Sequence, residues 1–273
     1  MTTSVSLEEN VPDEVSLRLH TAVEAALRAG RHTLSYFRQS RLRVDWKADN
    51  TPVTVADREA EELLREAIGK RFPDDGILGE EFEEQAGTSG YRWILDPIDG
   101  TKSFIHGVPL YGVLVGIERE WEAVAGVLAL PATSELLYAA VGGGSWHTVD
   151  DAEPQRAKVS DGSTLDRALF CSASVNGFDD QGRLAAFEQL RKAVWLHRTW
   201  GDCYGYAMVA TGRAEVMIDP IMNIWDCAAL KPILEEAGGT FTDWQGNPTI
   251  YGDEAVATNG RLFEQIMAIT RKA

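Results

Sequence analysis

At 273 residues, 44% hydrophobic and 25% charged, with a mean hydropathy of −0.19, the chain can bury a sizeable core as one large domain or two that pack tightly. A formal net charge of −16 with dispersed basic residues argues against nucleic acid or an anionic membrane as partner, and no apolar run approaches the roughly 20 residues of a membrane helix. Cys171, Cys203 and Cys227 are scattered and form no CxxC pair, and the polar start Met1–Val11 lacks a signal-peptide layout, so a reduced, cytoplasmic setting is expected.

Along the chain, apolar residues recur at helical spacing from Glu14 to Phe37, and again from about Asp57 to Phe72 after the short extended stretch Pro52–Ala56. Pro73-Asp74-Asp75-Gly76 is a turn. Trp93-Ile94-Leu95 predicts a short strand stopping at Asp96-Pro97, and Tyr111–Glu118, Ala123–Leu130 and Leu136–Val141 are spaced like successive antiparallel strands. Gly142-Gly143-Gly144 turns the chain out, and Val149–Pro154 reads as a linker dividing residues 13–148 from 149–273. Beyond it, strand-like runs at Leu169–Cys171, Val216–Ile218 and Val256–Ala257 alternate with helical patterns at Leu184–Leu190, Tyr204–Thr211, Asp226–Glu236 and Leu262–Ile269. The first half therefore reads as helices on an antiparallel sheet and the second as α/β.

Four places put carboxylates at element ends: Asp57, Glu80-Glu81, Asp96-Pro97-Ile98-Asp99 and Asp226. In the third, a tight turn can aim Asp96 and Asp99 at one cation and free the Ile98 carbonyl as another oxygen donor. Hard oxygen donors without histidine or thiolate favour Mg²⁺. Gly100-Thr101-Lys102-Ser103 then offers backbone N–H groups at an expected helix start, where a phosphate can dock. Cations among the carboxylates would also invert the local sign that otherwise repels a phosphorylated metabolite. Each element has a plain alternative: Asp-Pro and Asp-Gly as turn formers, Glu80-Glu81 as a solvated acidic run, Asp57 and Asp226 as helix caps.

Taken in order, Pro52-Val53-Thr54-Val55-Ala56-Asp57, Gly79-Glu80-Glu81, Asp96-Pro97-Ile98-Asp99-Gly100-Thr101, Trp225-Asp226-Cys227-Ala228-Ala229 and Glu235–Gly239 resemble the inositol monophosphatase family, within the group that includes fructose-1,6-bisphosphatase. The resemblance spans Val15 to the C-terminus and implies a layered α/β fold of alternating helix and sheet layers, usually as a homodimer. Carried over, it gives one metal to Glu80, Asp96 and the Ile98 carbonyl, a second to Asp96, Asp99 and Asp226, and in many members a third leaning on Glu80, hence two or three Mg²⁺ per site. It assigns Thr101 with Asp57 to the attacking water, Gly100 and Thr101 to the phosphate, and Lys47 to the neighbourhood of the metals. The runs Trp200–Tyr206 and Thr101–Pro109 look like the histidinol-phosphatase branch. A substrate carrying an ammonium and an imidazole wants carboxylates away from the metals, and Asp202 and Asp219 align with substrate-contacting positions, where Asp226 also contributes. The implied activity is Mg²⁺-dependent hydrolysis of histidinol phosphate. The alternatives are inositol 1-phosphate, another sugar or nucleotide 3′-phosphate, or a non-catalytic Mg²⁺-dependent binding member. The cysteines are expected to pack as small apolar residues, and Trp195, Trp200, Tyr204 and Tyr206 to be core or interface.

Overall fold

A computed structural model describes residues 5–8, 10–40, 42–150 and 152–271. The chain begins with α1 (Asp13–Leu34), then the small hairpin β1 (Val44–Trp46) and β2 (Pro52–Thr54), and α2 (Val55–Arg71). A seven-stranded sheet follows in sequence order: β3 (Gly76–Gly79), β4 (Tyr91–Asp99), β5 (Gly112–Arg119), β6 (Glu122–Leu130), β7 (Glu135–Ala140), β8 (Gly144–Val149) and β9 (Gln155–Arg156), with α3 (Thr101–Ile105) between β4 and β5. A five-stranded mixed sheet, β11-β10-β12-β14-β13, is built from β10 (Leu169–Ser172), β11 (Leu196–Arg198), β12 (Val216–Asp219), β13 (Thr240–Thr242) and β14 (Ala255–Thr258). Its helices are α4 (Val175–Asp180), α5 (Leu184–Ala193), α6 (Asp202–Ala210), α7 (Ile224–Cys227), α8 (Leu230–Glu236) and α9 (Phe263–Thr270).

Strand side chains alternate between two cores, as the two-residue period requires. In β5, Val113, Val115 and Ile117 pack with α1 and α2, while Leu114 faces the opposite core. In β12, Met217 points to that same central core and Val216 and Ile218 to an outer one with α4, α5 and α9. Both faces of both sheets are thus covered, which is why these strands read as apolar runs without polar alternation. The layers run helix, sheet, helix, sheet, helix, with α6 and α8 between the sheets.

Three local expectations are corrected. The strand does not stop at Asp96-Pro97: β4 continues to Asp99, and a register shift between Asp96 and Asp99 against β5 absorbs the proline's missing donor. The helix expected from Asp226 to Glu236 is two, α7 and α8, because Pro232 cannot donate to the Ala228 carbonyl and its ring crowds it. Val149, the first residue of the expected linker, ends β8, and β8 pairs antiparallel with β9, so the first sheet runs on to Arg156.

Candidate active site

The cleft forms where β4 ends against the starts of α3, α6 and α7. Asp96 is buried at the bulge, and its Oδ1 accepts the Ile98 N–H at 3.0 Å. Gly100 adopts φ +83°, a left-handed turn that carries the chain from β4 into α3. Asp99 Oδ2 accepts the Cys203 N–H at the start of α6. Asp226 sits in the first turn of α7, where Oδ2 accepts the Asn223 N–H at 2.7 Å in a capping box. As a result, oxygens of Asp96, Asp99 and Asp226 lie within 4.8 Å of one another.

Beside them, a cavity of about 160 Å³ is lined by Glu80, Asp96, Ile98, Asp99, Gly100, Thr101, Asp202 and Asp226, together with Lys102, Asn223 and Trp225. Glu80 follows β3, and Lys47, in the β1–β2 turn, donates to Glu80 Oε1 at 2.8 Å and Glu81 Oε1 at 2.6 Å. Asp57 lies behind the cleft. The Thr54 N–H and hydroxyl hold its Oδ2 at 2.8 and 2.6 Å, while Oδ1 faces the Thr101 hydroxyl at 3.4 Å. That hydroxyl also points at the Ile98 carbonyl, at 3.0 Å. Asp219 is buried: Oδ1 accepts the Ala173 N–H at 3.0 Å and Oδ2 the Tyr206 hydroxyl at 3.2 Å. It lines a second, smaller cavity of about 80 Å³ that shares Asp99, Asp202 and Asp226 with the first.

Electrostatically the site is loaded with negative charge. Burial, then Glu80, Asp99 and Asp226, push the Asp96 carboxyl well above the usual carboxylate range. Burial, then Asp202 and Asp226, do the same to Asp99. Burial raises Asp226 to about 6, Asp219 to about 8 and Glu81 to about 7, in each case against hydrogen bonds that favour the ionised form. Burial also raises Asp57 despite the Thr54 bonds, and raises Asp202 against the opposing pull of Lys102. For Lys47, burial works downward, but the bonds to Glu80 and Glu81 outweigh it and hold the ammonium firmly protonated.

Some residues that shape the site carry no sequence signal of their own. Glu61, buried on α2, accepts the Glu81 N–H at 2.8 Å and the Arg65 guanidinium at 2.8 Å, so it fixes the turn that presents Glu80. Asn223 could have been found: an Asn three residues before an Asp is a capping-box pattern. Lys102 lay within the phosphate-turn segment and lines the cleft.

The sequence profile described as the Inositol monophosphatase family matches residues 14–273. This chain belongs to that family. Among relatives, the family member named histidinol-phosphatase from Chlorobaculum parvum is 45% identical, covering 92% of this chain and 95% of its own. The histidinol-phosphatase of Mycobacterium tuberculosis is 39% identical over 91% and 96%. Among solved structures, the extragenic suppressor protein suhB of Bartonella henselae superposes with a TM-score of 0.85 at 29% identity, covering 94% of this chain and 99% of that one. The family's layered α/β fold is the one described above.

Proposed function

We propose that the protein is a Mg²⁺-dependent phosphomonoesterase that converts histidinol phosphate and water to histidinol and inorganic phosphate. The observation that carries this reading is the convergence of Asp96, Asp99 and Asp226 beside the Gly100–Thr101 turn. The donor set fits the metal, since it consists of carboxylate and carbonyl oxygens alone. The Asp96, Asp99 and Asp226 oxygens lie within 4.8 Å of one another, close enough to converge on one cation. Glu80, Asp96 and the Ile98 carbonyl would hold one ion and Asp96, Asp99 and Asp226 another, with Glu80 supporting a third. Bound Mg²⁺ supplies charge neutralisation for the phosphate and lowers the pKa of a nearby water.

The chain's own groups do the rest. The Gly100 and Thr101 N–H groups orient the phosphate, and Thr101, backed by Asp57, aligns the water and accepts its proton. The water oxygen bonds to phosphorus as the bond from phosphorus to the alcohol oxygen breaks in line; the water's proton passes through the Thr101 hydroxyl to Asp57, and the departing alkoxide takes its proton from solvent water. No phospho-enzyme is formed, because the aspartates facing the phosphate serve as ligands. Lys47 acts as a positioning residue for Glu80 and Glu81. The part of the chain up to Arg156 contributes most ligands, and the part beyond it contributes Asp202, Asp219 and Asp226; we take the working unit to be a cytoplasmic homodimer.

The test is Mg²⁺-dependent phosphate release from histidinol phosphate and from inositol 1-phosphate. Histidinol phosphate is expected to lead by about tenfold or more in kcat/KM, the scale of one recognised polar group. Faster turnover of inositol 1-phosphate would overturn the substrate, and no release from any monoester would overturn the activity.

A further inference from the structure

Thr101 and Asp57 come from two parts of the chain that share little else. Asp57 stands in the first turn of α2, and Thr101 opens α3 after the turn that ends β4. Among the described residues, the 3.4 Å contact between them is the only hydrogen bond joining residues 52–60 to residues 96–106. A hydroxyl that far from its acceptor is weakly held, so the pair does not fix its own spacing. Packing has to do so. It is supplied by a small core, apart from those that line the sheets, whose fully buried members are Ala56, Ile98, Phe104 and Tyr111. Ala56 directly precedes Asp57, while Ile98 and Phe104 stand three residues before and after Thr101, so one cluster grips both halves of the pair.

Tyr111, just ahead of β5, is the centre of this cluster. Its ring meets Phe104 edge-on, with centroids 4.9 Å apart and planes at 75°, and meets Phe37, beyond the end of α1, at 5.2 Å. Phe37 and Phe104 close the triangle at 5.8 Å. The Thr33 hydroxyl donates to the Gly30 carbonyl at 2.8 Å, which leaves its oxygen to accept the Tyr111 hydroxyl at 3.2 Å and ties the ring to α1. A close-packed triangle of rings has no slack, and removing one leaves a void that its neighbours fill only in part. Resting on the phosphatase reading above, we propose that Tyr111 is a positioning residue for the attacking water: with Phe37 and Phe104 it sets the distance between Thr101 and Asp57. It lines neither cavity of the site, so it acts through that distance and not by contact.

The experiment measures phosphate release at saturating Mg²⁺ for Tyr111→Phe, Tyr111→Leu and Phe37→Leu, each alone and combined with Thr101→Val. Tyr111→Phe keeps the ring and should keep most of the wild-type kcat. Tyr111→Leu should lower kcat by roughly tenfold with KM unchanged, the cost of a few tenths of an ångström where a full ångström costs about 10²-fold. Phe37→Leu, at the half-buried edge of the cluster, disturbs the fold less and should lower kcat by about threefold in the same way; it carries the test if Tyr111→Leu does not fold. In the Thr101→Val background neither leucine variant should cost much further, because the relay it disturbs is already gone. Leucine variants that fold and keep wild-type kcat overturn the inference, and so does a Tyr111→Phe enzyme as slow as Tyr111→Leu. An equal fractional loss in both backgrounds also overturns it, since general loosening of the fold produces that result. So does a loss confined to subsaturating Mg²⁺, which would place the effect at the Ile98 carbonyl. A wild type active only on inositol 1-phosphate overturns the substrate given above, and the same comparison on that ester still decides this inference. One inert on every monoester overturns both.

Discussion

Thr101 has one hydroxyl proton and two acceptors within reach, the Ile98 carbonyl at 3.0 Å and Asp57 Oδ1 at 3.4 Å. The two roles proposed for this corner are therefore linked. If the Ile98 oxygen is engaged by a cation, the proton turns to Asp57, whose other oxygen is already held by Thr54. The Thr101 oxygen is then free to accept a hydrogen bond from the attacking water. Thr101→Val removes that relay while leaving the carboxylate ligands in place, so kcat should fall about 10²–10³-fold with little change in KM. Thr101→Ser should recover most of it. Asp57→Asn should cost a similar factor, and the double variant little more than either single one, since the two act as a unit. Steady-state kinetics on the four proteins decide the matter. Fully multiplicative losses would show that Thr101 and Asp57 act separately.

Among elements, the decisive contact is the one that brings α7 to the end of β4. A Cβ on Gly126 of β6 would stand 2.1 Å from the Ala229 carbonyl oxygen, and one on Gly116 of β5 would stand 2.5 Å from the Ala228 Cβ. The α7–α8 junction is thus seated on the sheet at backbone distance, and that seating delivers Asp226 to Asp96 and Asp99. Gly126→Ala should lift the junction, costing about 1–3 kcal/mol of stability by overpacking and roughly 10²-fold in activity by displacing Asp226 about an ångström. Urea unfolding and phosphate-release assays measure the two effects; a variant destabilised but fully active would separate the contact from the site. The same contact shows what the sequence could and could not reveal. Asp96, Ile98, Asp99, Gly100 and Thr101 were legible because they are consecutive, and their turn chemistry is local. The strands were legible as short apolar runs and the long helices from their period. The bulge at Pro97 and the support of Glu80 by Glu61 were not, since each depends on a neighbour from another element, whereas the break before Pro232 is local and the proline itself was its signal. Nor does spacing reveal that the Cys203 N–H reaches Asp99 across 104 positions, or that Asp219 is spent on Ala173 and Tyr206.

Across the whole molecule, the clustered carboxylates make metal-free stability depend on pH in a direction opposite to simple acid denaturation. Asp226, Glu81 and Asp219 sit at about 6, 7 and 8 in the folded chain, against roughly 4 for an unfolded carboxylate. A carboxyl with a raised folded pKa destabilises the fold at any pH above that pKa, because ionisation is easier in the unfolded chain. The penalty is relieved as pH falls through the folded value. Glu81 and Asp219 place that relief between pH 8 and about 6.5, and the net charge of −16 adds self-repulsion of the same sign. His197 opposes the gain at the low end of the window. Partial burial and the nearby Arg191 and Arg198 depress it, so below roughly pH 6.5 the unfolded chain takes up this proton more readily than the folded one. Metal-free protein should accordingly melt higher at pH 6.5 than at pH 8, by roughly 2–6 °C for about 1–2 kcal/mol in a chain of this size. Mg²⁺ stabilises by binding the folded state and competes with the same protons, so its increment should be larger at pH 8, flattening or reversing the slope. Thermal scans at both pH values, with chelator and with Mg²⁺, test both statements. A metal-free melting temperature that falls between pH 8 and 6.5, or a Mg²⁺ increment independent of pH, would show that these carboxylates are not what limits the fold.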